Sequence, residues 1–171
     1  PNLDAVQWML DEIFPLIWKA CPEARLAVVG YAMPDSWRER WPDARIEWIG
    51  FAPDLPALQA QCALFIAALR HGGGSKLKVL EAMAAGLPLV STGQGASGLA
   101  INPDEHYLFG ENAQGLADAV VRLLGEPLLA ARLSDAARRY ARTHHDWSVA
   151  GDELEQIYRK LPSTEEKRAC V

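Results

Sequence analysis

Residues 70–78 read Arg70-His71-Gly72-Gly73-Gly74-Ser75-Lys76-Leu77-Lys78, and Val79 to Gly86 follow as an apolar, alanine-rich run broken by Glu81. The pattern predicts a strand end, a triple-glycine loop and a helix, with Ser75 as a suitable N-cap. The first turn of a helix favours acids, because the N-terminus carries partial positive charge. Here Lys76 and Lys78 occupy that turn, Arg70 and His71 precede the glycines, and no acid lies between Asp54 and Glu81. Free amides, a positive dipole end and the permanent charges of Arg70, Lys76 and Lys78 call for a bound anion, and a phosphate or diphosphate suits the place. The structural alternative is a solvated helix start with a Lys78–Glu81 pair at i,i+3. It leaves Arg70, Lys76 and the three glycines Gly72, Gly73 and Gly74 without a reason.

Other chemistries fit the sequence less well. A dinucleotide fingerprint needs glycine or alanine where Leu77 stands, and Gly-Lys-Ser or Gly-Lys-Thr of a Walker A loop is absent. Glu81 follows Lys78 on the helix face that also carries positions 74 and 85. A carboxylate there could accept the two hydroxyl protons of a vicinal diol such as a ribose, or simply pair with Lys78. His144-His145-Asp146-Trp147 reads as a helix end with Trp147 packed on the body, because adjacent histidines diverge on a helix and chelate poorly. The six tryptophans show no spacing that suggests a carbohydrate platform and read as core and interface packing.

The loop needs a frame to hold it. The chain has 171 residues, half of them hydrophobic, which suits one domain with a full core. A net charge of −5 argues against nucleic acid as partner, and a basic loop on an acidic body fits a small anion. Cys21, Cys62 and Cys170 show neither metal-ligand nor disulfide spacing, which suits thiols in a reducing cytoplasm. No run has the length of a membrane span and no signal peptide is seen.

Apolar residues at spacings of three and four predict helices over 4–21, with a kink or break at Pro15, and over 113–124, 127–144 and 147–161. In the last of these Leu154, Ile157, Tyr158 and Leu161 share a face. Residues 37–41 read as a short helix or turn, and Asp54 as the cap of a helix over 55–62. Strands are expected over 25–30, 45–50, 63–69 and 86–92, with a shorter one at 107–109, and Gly86 ends the helix before the fourth. Strands alternating with helices through short glycine turns predict an α/β fold, one parallel sheet with helices on both faces. Ligands in such sheets bind beyond the strand C-termini. Gly30, Gly50, the 70–75 loop and the glycine-rich 92–98 loop all fall there. The domain is expected over 1–162, with 163–171 as a polar tail.

Lys78-Val79-Leu80-Glu81-Ala82-Met83-Ala84-Ala85-Gly86-Leu87-Pro88-Leu89-Val90-Ser91-Thr92 closely resembles the nucleotide-sugar-binding motif of family 4 (group 1) glycosyltransferases. The likeness extends to Pro1-Asn2, 26–30, Ile49-Gly50, 63–69, 95–99 and the closing helices with Trp147. It implies one half of a GT-B fold, the C-terminal, Rossmann-like, donor-binding domain, whose first strand would precede Pro1. It implies that a full-length enzyme moves a sugar from a nucleotide-diphosphate donor, a UDP- or GDP-sugar, to an acceptor in polysaccharide or glycoconjugate synthesis.

By the same resemblance Glu81 holds the donor ribose. Arg70, Gly72, Gly73, Gly74, Ser75, Lys76, Leu77 and Lys78 surround the diphosphate, and Gly50 and Phe51 border the base. The family's first motif glutamate falls at Gly73, which leaves its contact to the donor sugar to Arg70, His71 or other residues. No metal or cofactor is required, since the cations can take that role. Catalytic residues lie outside this chain, in the N-terminal acceptor domain, so the chain alone binds nucleotide weakly and catalyses nothing. A cytoplasmic enzyme is implied, and the resemblance admits peripheral membrane association. Rival readings are a GT-B nucleotide-sugar epimerase and a non-catalytic nucleotide- or phosphate-binding module. A flavodoxin-like regulatory domain would need an aspartate cluster at strand ends, and none is seen.

Overall fold

The computed structural model describes residues 1–161. The expected tail at 163–171, with Cys170, lies outside the described residues. The chain opens with α1 (Asn2–Trp8), a π-helical segment (Met9–Ile13) and α2 (Phe14–Ala20), which follow one another without a break. Pro15 therefore does not end the helix. Its ring would press on the carbonyl four residues back, and a wider turn precedes it, where the Phe14 N–H reaches the Met9 carbonyl.

β1 (Leu26–Val29), α3 (Ser36–Arg40), β2 (Ile46–Ile49) and α4 (Leu55–Gln59) follow. Asp54 caps α4, its Oδ1 accepting from the Ala57 N–H at 2.9 Å. That helix stops at Gln59, short of the expected Cys62. Next come β3 (Phe65–Ala67), α5 (Leu77–Ala85), β4 (Leu89–Ser91), the four-residue α6 (Gly93–Ala96) and β5 (Leu108–Phe109). The chain closes with α7 (Ala113–Gly125), α8 (Pro127–His145) and α9 (Trp147–Lys160).

All strand pairs are parallel, but they form two sheets among the described residues, β1-β2 and β3-β4-β5, where one was expected. Residue patterning predicts strands; which edges meet is a property of the assembled fold. One helical layer lies under both sheets. Leu10 packs with Val28 and Ile46, while Met9, Ile13, Phe14 and Ile17 join Ala68, Val90 and Leu108. Successive strand residues face opposite layers, as the pleat requires. Ala67, Leu89 and Tyr107 turn to α5 and α8, and Ala68, Val90 and Leu108 turn to α2 and α7.

Gly86 has φ +80 and ends α5, with the Leu87 N–H bonded to the Ala82 carbonyl at 2.9 Å. Arg138 of α8 donates to the Ala85 carbonyl at 2.9 Å, placing a cation at the negative end of α5.

One expectation about α9 fails. Trp147 is 90% exposed, not packed on the body. Leu154, Ile157, Tyr158 and Leu161 also face solvent, because α9 touches little besides the end of α8. Of the other tryptophans, Trp8 and Trp37 are buried, and Trp37, Trp41 and Trp48 form an aromatic cluster with centroids 5.7–6.4 Å apart. No helix among the described residues is long and apolar enough to cross a membrane.

Arg45 ties the start of β2 to the end of α2. It stacks 3.9 Å from the Trp18 ring centroid, donates to the Pro22 carbonyl at 3.0 Å and meets Asp43 through both side-chain and backbone N–H. These bonds hold the Asp43 carboxyl down to about 2. A depressed carboxylate contributes stability above its unfolded pKa and loses it as pH falls through the folded one. Asp43→Asn is therefore expected to lower the urea midpoint at pH 7, with the gap to wild type closing as pH approaches 2. Equal gaps at pH 7 and pH 2 would refute the assignment.

Candidate functional site

β3 delivers the chain to the loop. Ala67, Ala68 and Leu69 are buried, and Arg70 emerges at the surface. The hydroxyl of Thr92, at the end of β4, donates to the Leu69 carbonyl and accepts from the Gly95 N–H at 3.0 Å. This caps α6 and seats it against the end of β3. Gly95 fits there because it lacks a Cβ, which would collide with the Ala67 carbonyl and the Ser91 hydroxyl. Gln94 of α6 then reaches the Gly72 carbonyl with its amide.

Lys76 departs most from expectation. Its side chain is not displayed to solvent; the residue is 6% exposed. Nζ lies 3.3 Å from the Gly72 carbonyl oxygen and 3.2 Å from that of Gly74. Buried charges need partners, and here they are backbone carbonyls.

In a trans peptide the N–H points opposite to the preceding C=O. The Gly73 and Ser75 N–H groups are thus directed away from Lys76. Among the described residues, the N–H groups of residues 72–78 donate to no acceptor. Gly72 has φ +119, which lets the loop turn in this way, and the Pro1 ring lies against it.

Ser75 is not the N-cap. Lys76 holds that position with no side-chain cap bond, and its carbonyl accepts from Val79 at 2.9 Å and Leu80 at 3.0 Å. Inward packing of Lys76 moves the helix start one residue along and leaves Ser75 exposed.

The cations of the loop are also less free than the sequence suggests. Asp4 of α1 pairs with Arg70. Asn2 Oδ1 accepts from Lys78 Nζ. No Lys78–Glu81 pair forms. Burial, and then repulsion from Lys76, hold the Lys78 ammonium below its ordinary pKa. The bond to Arg70 holds the Asp4 carboxyl down.

Glu81 is exposed on the outer face of α5, opposite Val79, Ala82 and Met83, and its carboxylate has no bonding partner among the described residues. Leu77 is exposed beside it. Gly50 and Phe51 stand elsewhere, in a cleft of about 360 Å³ beyond β1 and β2 that is also lined by Tyr31, Pro34, Arg38 and Trp48. Tyr31 and Phe51 are 91% and 77% exposed there. No residue of 70–81 lines that cleft. The structure thus groups Arg70, Gly72, Gly73, Gly74, Ser75, Lys76 and Lys78 at one loop and keeps Gly50 and Phe51 apart from it. At the other end of the domain, His145 bonds the Tyr140 hydroxyl at 3.2 Å.

With this geometry in hand, residues 1–126 match the family model for glycosyl transferases group 1. The chain belongs to that family. Its Rossmann-like fold is shared with solved members. The C-terminal domain of the glycosyl transferase group 1 family protein LpcC from Francisella tularensis is 22% identical, with TM-score 0.68 over 82% of each chain. HepE from Anabaena, solved with UDP and glucose, is 18% identical with TM-score 0.75; the match covers 87% of this chain and 44% of HepE. Sucrose-phosphate synthase from Thermosynechococcus elongatus is 20% identical with TM-score 0.69, over 87% of this chain and 42% of that one. The chain thus spans under half the length of HepE.

Asn2, Asp4, Thr92 and Gln94 escaped the sequence reading. Asn2 and Asp4 carried one signal, polar residues at a helix start, which also describes any ordinary cap.

The seat of α6 is testable. Gly95→Ala is expected to cost about 1–3 kcal/mol, the range for overpacking, and to shift the amide NMR signals of residues 70–76 by releasing Gln94 from the Gly72 carbonyl. Unchanged melting and unchanged signals at residues 70–76 would show that α6 does not brace the loop.

Proposed function

We propose that this chain is the donor-binding domain of an enzyme that transfers a sugar from a nucleotide-diphosphate sugar to an acceptor, in polysaccharide or glycoconjugate synthesis. The observation that carries the reading is the loop at 70–78. Arg70, Lys76 and Lys78 fall in the loop and first turn of α5, Lys76 is buried with no carboxylate bonded to it among the described residues, and the neighbouring amides are unengaged. Family membership and the UDP bound by HepE support a nucleotide diphosphate as the anion.

The chemistry is displacement at the anomeric carbon. The acceptor oxygen forms the new bond and gives up its proton to the departing diphosphate or a base of the acceptor domain, as the bond to the diphosphate breaks. Negative charge grows on the leaving diphosphate, and donors aimed at growing charge lower the barrier most. Arg70 and Lys78, the N–H groups of Gly73, Ser75 and Leu77, and the α5 dipole supply those donors. Lys76 supplies charge from beneath and holds the loop's peptides. These groups take the place of a divalent ion, so transfer proceeds without metal. Glu81, one turn along the exposed face from Lys78, accepts the ribose hydroxyls.

Gly50 and Phe51 border the base, which the cleft beside Tyr31 would receive. Gly73 leaves the donor sugar without the family's first glutamate, and Arg70, His71 or other residues take over that contact.

The acceptor domain and its catalytic residues belong to the part of the enzyme outside this chain, as does a further strand ahead of Pro1. The unpaired edges of β1 and β3, spanned by one helical layer, support a strand between the two sheets. The free thiols of Cys21 and Cys62 suit an enzyme working in the cytoplasm.

Titration of the protein with UDP or GDP is expected to shift the amide NMR signals of residues 72–81 foremost. Shifts confined to the opposite edge of the sheets would refute the site. In the full-length enzyme, Glu81→Ala is expected to cut kcat/KM by about 10²-fold, the scale of a lost charged contact. Its melting temperature should hold, since Glu81 is exposed and unbonded. Unchanged turnover would return Glu81 to the role of a surface acid.

A further inference from the structure

The first turn of α1 meets the 70–78 loop at several points. The Pro1 ring lies against Gly72, Asn2 accepts from Lys78, and Asp4 takes Arg70. Asp4 Oδ2 accepts from Arg70 Nε at 3.1 Å, Oδ1 accepts from Nη2, and Oδ2 lies 3.7 Å from His71 Nδ1. On its other side the Arg70 guanidinium sits 5.1 Å from the ring centroid of Trp8, which is buried. The Trp8 indole is in turn fixed to Glu12 at 3.2 Å.

A guanidinium has five N–H donors in a rigid plane. The Nε–Nη2 edge faces Asp4. The Nη1 end has no partner among the described residues, and the Arg70 side chain remains 47% exposed. A carboxylate on one edge and a ring beside it fix the plane, so the free end is presented in one direction. Asp4 is the one acid bonded to the loop among the described residues. Lys76 is held by carbonyls and Lys78 by a neutral amide.

We propose that Asp4 is a positioning residue of the donor site. Its carboxylate locks the Arg70 guanidinium so that the free Nη1 end meets the diphosphate. The inference rests on the reading of 70–78 as the diphosphate site.

The rival role is a surface ion pair that merely fastens α1 to the loop. Such pairs contribute little to stability. A pre-organised charged donor acts chiefly on binding, because its ordering cost is met before the ligand arrives. The two roles therefore separate when binding and stability are measured together.

The test uses the full-length enzyme and whichever of UDP, GDP and ADP raises its melting temperature most, with the matching nucleoside as a phosphate-free control. Affinities are measured by calorimetry for wild type, Asp4→Ala, Asp4→Asn, Arg70→Ala and the Asp4→Ala/Arg70→Ala pair. Asp4→Ala is expected to weaken the nucleoside diphosphate about tenfold, the scale of one charge-assisted hydrogen bond. Nucleoside affinity should be unchanged, and melting should move little. The double variant should bind no worse than Arg70→Ala, because Asp4 acts through Arg70. Asp4→Asn, which keeps the shape and one acceptor, should fall between wild type and Asp4→Ala, and it carries the comparison if the alanine variant does not fold.

Wild-type diphosphate affinity in both Asp4 variants, losses that add to that of Arg70→Ala, or an equal loss for the nucleoside would overturn the proposal while leaving the site standing. Wild-type diphosphate affinity in Arg70→Ala, or no stabilisation by any of the three nucleotides, would overturn the reading of 70–78 and the proposal with it.

Discussion

The buried ammonium of Lys76 organises the candidate site. A charge removed from water must find polar partners, and no carboxylate is bonded to this one among the described residues. It draws on the Gly72 and Gly74 carbonyls, and those bonds set the peptides of the loop. With the carbonyls turned to Lys76, the Gly73 and Ser75 N–H groups face the other way. One lysine thus supplies a positive charge and orients a row of donors beside the N-terminus of α5. The helix begins at Leu77, with Lys76 as its N-cap outside helical geometry.

Everything around the loop braces this turn. Gln94 shares the Gly72 carbonyl with Lys76, and it can do so because α6 sits tightly on the ends of β3 and β4. Thr92 and the missing Cβ of Gly95 make that seat. From the other side α1 brings Asn2 and Asp4, which take up Lys78 and Arg70. The helices that frame the loop are placed by the core. Ile13, Ile17, Leu89 and Met83 are fully buried and lock α2 and α5 onto opposite faces of the strands. The polar site is therefore held by apolar packing on both sides of β3 and β4.

Much of this frame was legible in the residues. The strands at 26–29, 46–49, 65–67 and 89–91 are short apolar runs ended by glycine or polar turns, and each was found within a few residues. Asp54 and Gly86 announced a helix start and a helix end, because capping depends on a few neighbouring residues. Local signals failed where the partner was distant or absent. Ser75 looked like a cap, but the burial of Lys76 decided otherwise. Trp147 read as packed on the body, yet it meets solvent, because α9 touches little besides the end of α8. Pro15 promised a break, and a π turn absorbed it.

The sequence by itself determined that this chain is a parallel α/β domain with a cationic glycine loop at a helix start, and its motif pointed to the group 1 glycosyl transferases. Periodicity, turn residues and the excess of positive charge over residues 70–78 are local properties, and local properties survive in a string of letters. Tertiary structure alone decided how that charge is held. Asp4 stands 66 residues from Arg70, and Asn2 stands 76 from Lys78. Only the packing of α1 beside the end of β3 brings them together. It also decided which edges meet, β1 with β2 and β4 with both β3 and β5, since an edge pairs with whatever the fold sets beside it.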